Sequence, residues 1–581
     1  MFQWASRCLP GFSIIALVFL LVFTSNSIPF WSWNSLWPPA KGPSPPSTGD
    51  NPVLNVAQKI FIVYTVLVHT NMLWFAARLS WSLWYVTRQT KQVLGRRWKA
   101  NQEDFVDDPP PSSHKLPDPS VFKFNNPDVY EVNDHEVIHA VILPNYGEDL
   151  HTLKTTLNVL ASHPRARSQY EIYLAMEEKE IDAVEKSQKL ISKFEKSFLH
   201  VRSTFHPAGL QGEIAGKSSN VAFAARQIVH VHRAELRTGS CNVMITVMDA
   251  DTHLWQDYFT EIRRLHYAHL TDDADRTLYS CPIIFDRNSH ESPILVRCAD
   301  LLWGFAGLST MYPGTSISIP TSVYSLPLSL AEKVGGWDSD PTAIGEDMHM
   351  MLKCYFETAG NLLTRVVYVP ASQCNVSGDT ASDRKIPKYR RTLDTCHARY
   401  RQALRHMWGA LDSGFATRRT LTYLRLHSRC LFLRPRHLAL LHLLWEAHFL
   451  PVHLMILMVF STVYEFTSSS LHPNMHLALS VTNILRTTSF IWMNLCLALY
   501  ERWYDFCLHT RKEDMLQANV NDTGFAMRVW WYLPFLLERI CFPIAGTIFG
   551  AIPTLHAVFS HFWTDRLVYR VSKKPDFTSL V

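Results

Sequence analysis

Long apolar segments lie near both ends of the chain, and the sequence between them alternates short apolar runs with polar stretches. At the N-terminal end, residues 12–23 (FSIIALVFLLVF) and 54–85 are strongly apolar. At the C-terminal end, residues 438–464, 477–499 and 529–562 have the same character. Segments of this kind predict helices that span a lipid bilayer.

The first apolar segment has two interpretations, a signal peptide or a retained membrane helix. Arg7 gives it a weak positive flank, as a signal peptide would have. No small-x-small cleavage site follows, because residues 28–31 (IPFW) stay apolar and aromatic. We therefore expect a retained helix, followed by a proline-rich loop over residues 38–50. Basic residues between 88 and 99 predict that the chain enters the cytosol there.

The last apolar segment is interrupted by prolines and glycines, so it is either one kinked helix or a hairpin of two. Basic residues from Arg566 onwards favour a cytosolic C-terminus and therefore the hairpin. Residues 425–436 are basic and amphipathic, which is typical of a segment that lies on the membrane surface.

The middle of the chain predicts a soluble α/β domain. Residues 137–143 (VIHAVIL), 171–176 (EIYLAM) and 242–248 (NVMITVM) have the pattern of buried strands, and a helical pattern covers 150–160. Apolar strands that alternate with helices indicate a parallel sheet. We therefore divide the chain into two N-terminal membrane helices with their loop (1–100), the α/β domain (101–425), and an interfacial segment with a C-terminal membrane bundle (426–581).

Composition narrows the class of protein. Charged residues make up 18% of the chain and aromatic residues 12%. Few charges and many aromatic rings fit a membrane protein. The net charge of +5 gives no indication of nucleic-acid binding. The eleven cysteines form no CxxC pair, so neither a zinc site nor a disulfide framework is predicted.

Two acidic motifs are candidates for chemistry. Asp249 and Asp251 directly follow the strand 242–248, at the end where open parallel sheets bind ligands. Two carboxylates so close together need a cation, which Mg²⁺ or Mn²⁺ bound to a diphosphate would supply. Glu346 and Asp347 follow Gly345, and they either begin a helix or include a general base. Asp347 fits the role of the general base, which takes a proton from an attacking hydroxyl.

The segment 209–220 (GLQGEIAGKSSN) has the Gly-Lys-Ser ending of a phosphate-binding P-loop. Only three residues separate Gly212 from Gly216, whereas the P-loop needs four, and His206-Pro207-Ala208 replaces the strand that should precede it. We therefore expect a lysine that serves another nucleotide chemistry, with an ordinary surface lysine as the alternative.

The order PNYGE, GKSSN, DAD, GGW, GED and QALRHMW resembles the membrane-bound family 2 glycosyltransferases, which include cellulose, chitin and hyaluronan synthases. The resemblance covers residues 137–410. It implies a GT-A domain, which is a Rossmann-like fold, inserted in the cytosol between N-terminal and C-terminal transmembrane helices. It also implies a nucleotide-sugar donor, with a UDP-sugar as the first choice, and an inverting displacement.

The resemblance assigns roles to individual residues. It implies that Asp249 and Asp251 hold Mn²⁺ or Mg²⁺ and the donor diphosphate, and that the catalytic carboxylates include Glu346 and Asp347, with Asp347 as the base. Further donor-binding residues implied by it are Pro144, Tyr146, Glu148, Glu177, Lys217 and Asn220. The family often has Asp-Asp-Gly-Ser where this chain has AMEEK, which leaves the role of Glu177 open.

The last motif departs from the family. Processive synthases usually have Gln-x-x-Arg-Trp, whose tryptophan stacks on the acceptor sugar. Here Gln402 and Arg405 are followed by His406, and the tryptophan is Trp408. On a helix Arg405 and Trp408 share a face, so the arginine could meet the diphosphate and the ring the acceptor. A helix that simply packs on the membrane is the alternative.

The sequence thus predicts a multi-pass membrane glycosyltransferase, a hexosyltransferase of polysaccharide biosynthesis, in the plasma membrane or the Golgi. Its expected partners are a nucleotide sugar, a polysaccharide or lipid-linked acceptor and the lipid bilayer. The alternatives are a membrane transporter and a non-catalytic scaffold with a glycosyltransferase-like domain. Glu446, Arg486 and Arg539, which lie within apolar segments, would suit a polymer path or a transport site.

Overall fold

A computed structural model describes residues 2–25, 54–103 and 137–567, with gaps at 215, 240–241, 269–270, 382, 384, 428–433, 469–470, 519 and 521–532. The proline-rich loop and residues 428–433 of the predicted interfacial segment lie outside the described residues. The strands are β1 (Ile138–Asn145), β2 (Tyr170–Glu177), β3 (His200–His206), β4 (Val243–Val247), β5 (His253–Leu254), β6 (Thr277–Ser280), β7 (Ile283–Phe285), β8 (Tyr324–Pro327), β9 (Leu363–Val366) and β10 (Ala371–Gln373).

The helices of the N-terminal part and of the α/β region are α1 (Phe2–Arg7), α2 (Leu9–Ser25), α3 (Val56–Glu103), α4 (Leu150–Ala161), α5 (Ala166–Gln169), α6 (Ala183–Phe194), α7 (Lys217–Val231), α8 (Arg233–Thr238), α9 (Asp257–Tyr267), α10 (Thr271–Ala274), α11 (Ile294–Leu308), α12 (Leu328–Lys333) and α13 (Glu346–Glu357). The remaining helices are α14 (Lys388–Trp408), α15 (Leu411–His427), α16 (Pro435–His448), α17 (Leu450–Thr467), α18 (Pro473–Gln517), α19 (Leu533–Gly546) and α20 (Ile552–Ser560). A 3₁₀ turn covers Pro341–Ala343, and a π turn, Thr547–Ala551, joins α19 to α20.

The central sheet has seven strands in the order β3-β2-β1-β4-β8-β6-β9. The four strands from β3 to β4 are parallel, with Val141 of β1 opposite Ile172 of β2 and Thr246 of β4. β8 runs antiparallel to both β4 and β6. β5, β10 and β7 form a second, three-stranded sheet in the order β5-β10-β7. The expected α/β fold is confirmed, but the predicted parallel sheet is parallel only in part, because β8 is antiparallel to its neighbours. The strands predicted at 137–143, 171–176 and 242–248 correspond to β1, β2 and β4.

Both faces of the central sheet are covered, which explains why its parallel strands read as continuous apolar runs. Along β1, Val141 and Leu143 pack into one core with α4 and α6, whereas Ala140 and Ile142 pack into a second core with α7 and α13. This alternation follows from the two-residue repeat of a strand.

α18 connects the apolar C-terminal region to the α/β fold. It is a single helix of 45 residues. At roughly 1.5 Å of rise per residue, such a helix is about 68 Å long. Trp503, Tyr504 and Cys507, near its C-terminal end, belong to the core of β1 and β2, and the Tyr504 hydroxyl lies 2.8 Å from Ser289 Oγ. The domain limits drawn from the sequence stay a prediction, but this packing shows that α18 reaches into the α/β core.

Among the described residues, three helical segments are long and apolar enough to cross a membrane: Val56–Arg97, Leu450–Thr467 and Leu536–Ser560. α2 is apolar but shorter, with 17 residues. The segment predicted at 438–464 is divided at Phe449, where Pro451 enters the first turn of α17 and cannot continue α16.

The hairpin expected for residues 529–562 is wrong for the described part of that segment. α19, the π turn and α20 follow one another without a loop, and the junction residues Gly546 and Ile552 keep right-handed helical angles. A π turn accommodates an interruption of the regular i to i−4 hydrogen bonds, which is what Pro543 and Pro553 require.

Candidate active site

The Asp-Ala-Asp motif lies at the carboxyl end of β4, a strand whose five residues are all buried. The side chain of Asp249 is 32% exposed, whereas Asp251 is buried. Side chains from two directions hold the main chain of the motif, because Thr156 Oγ1 donates to the Ala250 carbonyl at 2.7 Å and Arg287 donates to the Asp251 carbonyl. The predicted strand-end position of the motif is therefore present, with one carboxylate open to solvent.

Lys217, the first residue of α7, joins the two acidic motifs. Its Nζ lies 2.8 Å from Asp249 Oδ1 and 3.2 Å from Glu346 Oε2. Burial alone would lower the pKa of Lys217, but the carboxylates of Asp249, Glu346 and Asp347 outweigh burial and raise it. One ammonium group thus brings the end of β4 and the start of α13 to within a few ångströms of each other.

The carboxylate of Asp347 is oriented by main-chain donors. Its Oδ2 accepts from the Ser322 N–H at 2.7 Å and its Oδ1 from the Met348 N–H at 2.8 Å. Because Asp347 lies in the first turn of α13, the helix dipole also favours its negative charge. Ser322 has a positive φ of 61°. This conformation is costly for a residue with a side chain, and such residues cluster at functional sites.

Glu346 is buried beneath this carboxylate. Its Oε1 accepts from the Tyr324 hydroxyl, which in turn accepts from Trp337 Nε1 at 2.6 Å. Burial raises the pKa of Glu346, and Lys217 offsets part of that effect. Trp337 belongs to the Gly-Gly-Trp segment, so that segment supports the Glu-Asp pair through Tyr324.

A buried histidine holds α13 from its other side. His349 Nδ1 lies 2.5 Å from Asp412 Oδ1, and its Nε2 lies 3.1 Å from Asp338 Oδ2. Lys353 Nζ also donates to Asp338 Oδ1 at 2.6 Å. Burial opposes the charge on His349, but Asp412 and Asp338 outweigh burial and raise its pKa to about 9. This network joins the Gly-Gly-Trp turn, α13 and the first turn of α15.

The residues predicted for the nucleoside lie at the carboxyl ends of β1 and β2. Pro144 is in β1, and the ring of Tyr146 just after it has Lys179 Nζ 4.4 Å from its centroid. Glu177 ends β2, is buried and contacts His206 Nδ1 at 3.3 Å. The hydrogen bond to Glu177 raises the pKa of His206.

Two further predicted donor residues flank the same edge of the sheet. The main-chain carbonyl of Glu148 accepts from Lys186 Nζ at 2.8 Å. Asn220 is buried in α7 and donates from Nδ2 to the Ala175 carbonyl of β2 at 2.7 Å, so it fixes the N-terminal turn of α7 to the sheet.

The QALRHMW segment forms the end of α14. Gln402 and Arg405 are half-buried, while Trp408 is 4% exposed. The Trp408 ring packs edge-on against His561 at 4.9 Å, and its Nε1 donates to the Asp565 carbonyl at 3.1 Å. The end of α14 lies close to the start of α13, because a Cβ on Gly345 would be 3.5 Å from the Gly409 Cα. The predicted roles of these three residues in binding the acceptor or diphosphate stay predictions.

Sequence reasoning missed several residues that support the site. Ser322, Tyr324 and Arg287 carry no recognisable motif, and each acts on an acidic residue distant from it in sequence. His349 and Asp412 are also distant in sequence, and no local pattern indicates that His349 pairs with Asp412 and Asp338.

The donor set suits a hard divalent cation. Carboxylate oxygens are ligands that Mg²⁺ and Mn²⁺ prefer, and Mg²⁺ usually takes one or two carboxylates together with substrate phosphates and water. Asp249 presents a partly exposed carboxylate that already attracts the ammonium of Lys217. In the described part of the chain, no group of three or more His, Cys, Asp or Glu residues is arranged to hold a metal.

No curated protein matches this chain. Residues 244–505 match the family model described as glycosyl transferase family group 2. The match begins in β4 and ends in α18, so it includes the Asp-Ala-Asp motif, the Glu-Asp pair and the QALRHMW segment. The resemblance to family 2 is thereby confirmed, and the protein is a glycosyltransferase with a family 2 domain.

Proposed function

We propose that the protein is an integral membrane glycosyltransferase that moves a sugar from a nucleotide-sugar donor, most simply a UDP-sugar, to a polysaccharide or lipid-linked acceptor. The observation that carries this proposal is the ammonium of Lys217 between Asp249 and Glu346. This ammonium brings the Asp-Ala-Asp motif close to Glu346 and its neighbour Asp347, and that proximity supports a diphosphate site beside the proposed base.

The donor diphosphate would bind at the end of β4. Asp249 and Asp251 would hold Mg²⁺ or Mn²⁺, and a bound cation offsets the negative charge that develops on the leaving diphosphate. Lys217 adds a second positive charge at the same place, because its Nζ already lies at 2.8 Å from Asp249. The nucleoside would extend along the ends of β1 and β2, where Tyr146 and Glu177 lie.

Asp347 would act as the general base. Its carboxylate is held by two main-chain N–H groups, so its orientation does not depend on mobile side chains. It takes the proton of the acceptor hydroxyl while the hydroxyl oxygen forms a bond to the anomeric carbon. The bond from that carbon to the diphosphate breaks, the electron pair leaves with the diphosphate, and the configuration inverts. Glu346 would serve by holding Lys217 and Tyr324 in place.

The apolar helices support a membrane location. The segments Val56–Arg97, Leu450–Thr467 and Leu536–Ser560 would cross the bilayer, and the basic C-terminal part of α3 would place the catalytic domain in the cytosol. The helices after α15 would form either an exit path for a polymer or a groove for a lipid-linked acceptor. Plasma membrane and Golgi are both compatible with this arrangement.

Charged residues in the apolar segments fit helix packing better than a transport site. Glu446 Oε2 pairs with Arg78 Nη2 at 2.7 Å, and Arg539 Nη2 pairs with Glu501 Oε2 at 2.8 Å. Charges within membrane segments commonly pair with one another in this way. The transporter is therefore the weaker alternative.

The experiment is a panel of nucleotide sugars with the purified full-length protein in nanodiscs, with release of nucleoside diphosphate as the readout. We expect release from one donor, dependent on Mn²⁺ or Mg²⁺ and abolished by a chelator. Absence of release from every donor in the panel would contradict the proposal and favour a non-catalytic scaffold.

A further inference from the structure

An aromatic pair connects α11 to the QALRHMW segment of α14. The rings of Trp303 and His406 are stacked, with centroids 4.3 Å apart and an angle of 29° between the planes. Both residues are half-buried, so part of the pair remains accessible to solvent. Trp408, the tryptophan that the sequence suggested, is instead enclosed by His561 and the Asp565 carbonyl.

The first connection from this pair to the catalytic carboxylate runs through α11. Trp303 and Gly307 are four residues apart on that helix and therefore share a face. A Cβ on Gly307 would lie 3.1 Å from Thr321 Oγ1, so this face packs directly against Thr321. The next residue, Ser322, donates its N–H to Asp347 Oδ2 at 2.7 Å.

The second connection runs through α14. His406 lies one turn before Gly409, whose Cα approaches Gly345 at the start of α13. Asp347 is two residues after Gly345. The Trp303–His406 pair is therefore tied on two sides to the elements that hold Asp347, the side chain that would receive the acceptor proton.

We propose that Trp303, backed by His406, is the surface on which the terminal sugar ring of the acceptor stacks. This inference rests on the proposed function and narrows the acceptor to one that ends in a pyranose. The face of an aromatic ring has a negative electrostatic potential, so it attracts the polarised C–H groups on one face of a pyranose. His406 supports the indole from behind and limits its rotation, so that the acceptor hydroxyl is presented towards Asp347.

The test separates transfer to a sugar from transfer to water. The radiolabelled donor identified in the panel is incubated with the full-length protein and short oligosaccharides of the transferred sugar as acceptor probes. Three quantities are measured: released nucleoside diphosphate, free labelled monosaccharide and labelled oligosaccharide. Loss of an acceptor surface lowers oligosaccharide labelling and leaves the free monosaccharide unchanged, whereas loss of a structural residue lowers all three.

We expect Trp303→Ala and Trp303→Leu to lower oligosaccharide labelling about tenfold, which is about 1.4 kcal/mol and lies within the range of an aromatic contact. Hydrolysis of the donor by water should stay at the wild-type rate. Trp303→Phe keeps an aromatic ring and should restore most of the transfer, and His406→Ala should reduce it. The matched control is Trp563→Ala, since the Trp563 side chain is 78% exposed.

Each outcome has one meaning. Equal loss of transfer and hydrolysis in both the alanine and the leucine variant would show that Trp303 is structural and would overturn the inference. Transfer at the wild-type rate in both variants would also overturn it. If Trp303→Ala does not purify, the leucine and phenylalanine variants decide whether Trp303 binds the acceptor or has only a structural role. Failure of the wild type to use any donor would instead contradict the proposed function, so the two failures are distinguishable.

Discussion

Replacing Lys217 by methionine removes the cation from the centre of the acidic site. In the wild-type protein its Nζ is 2.8 Å from Asp249 and 3.2 Å from the buried Glu346. Removing one partner of a buried ion pair costs about 3–5 kcal/mol, because the other charge stays buried without compensation. Since Asp249 is one third exposed and screened by water, we expect the low end of this range, about 3 kcal/mol.

The assay is thermal unfolding of the ligand-free protein in detergent at one fixed scan rate. A loss of about 3 kcal/mol corresponds to a decrease in Tm of about 6 °C, taking about 2 °C per kcal/mol. Lys189→Met is the matched control, because Lys189 pairs with Glu185 at the surface and both side chains are more than half exposed. Such a pair contributes about 0–1 kcal/mol, so the Tm of the control should hardly change.

The decrease in Tm caused by Lys217→Met should become smaller as the pH falls. Burial raises the pKa of Glu346, and loss of Lys217 removes the charge that offsets burial. The folded variant then binds more protons than the unfolded chain at pH values above the ordinary range of a glutamate, so its stability falls as pH rises through that range. The difference in Tm between wild type and variant should therefore narrow on acidification. If the variant has the Tm of wild type at neutral pH, or if the difference in Tm widens in acid, Lys217 does not stabilise Asp249 and Glu346 in this way.

Three further predictions concern single residues. Asp347→Asn should lower turnover by about 10²–10⁴, the contribution of a general base, while binding of nucleoside diphosphate by calorimetry stays within about twofold; retained turnover would remove Asp347 from its role. His349 has a pKa raised to about 9, so its stabilising contribution is complete below the unfolded pKa of about 6.5 and is lost as pH rises through about 9. His349→Gln should therefore lack the alkaline fall in Tm that wild type shows, and a variant with the same alkaline profile would contradict the ion pairs. Asn220→Ala removes the hydrogen bond to the Ala175 carbonyl and should destabilise the fold by about 1–3 kcal/mol; an unchanged denaturation midpoint would contradict this contact.

The parts of the fold that the sequence predicted are those with long, uniform patterns. β1, α4, β2 and β4 lie within one or two residues of the expected limits, because each is buried on both faces or amphipathic over several turns. β8 and β6 were not predicted, since each has only four residues. Such short strands form because β4 and β9 supply hydrogen-bonding edges next to them. These edges exist only in the folded structure and leave no local pattern in the sequence.

In the candidate site, too, the sequence predicts the motifs but not the contacts that support them. The motif order identified Asp249 and Asp347, and the structure places them on elements joined by Lys217. The contacts from Ser322 and Tyr324 could not be predicted, because they depend on how β8 and α13 pack rather than on local pattern. The expected C-terminal hairpin was inferred from the basic residues from Arg566 onwards, which indicate a preferred side of the membrane but do not require a turn.

The most direct test of a metal-bridged diphosphate at the end of β4 is the binding of Mn²⁺, measured by electron paramagnetic resonance with and without the nucleoside diphosphate that the enzyme releases. We predict that wild type binds Mn²⁺ strongly only with this nucleotide, and that Asp251→Asn loses the nucleotide-dependent binding. Equal Mn²⁺ binding by wild type and Asp251→Asn, or nucleotide binding that does not respond to Mn²⁺, would contradict a metal-bridged diphosphate at the end of β4.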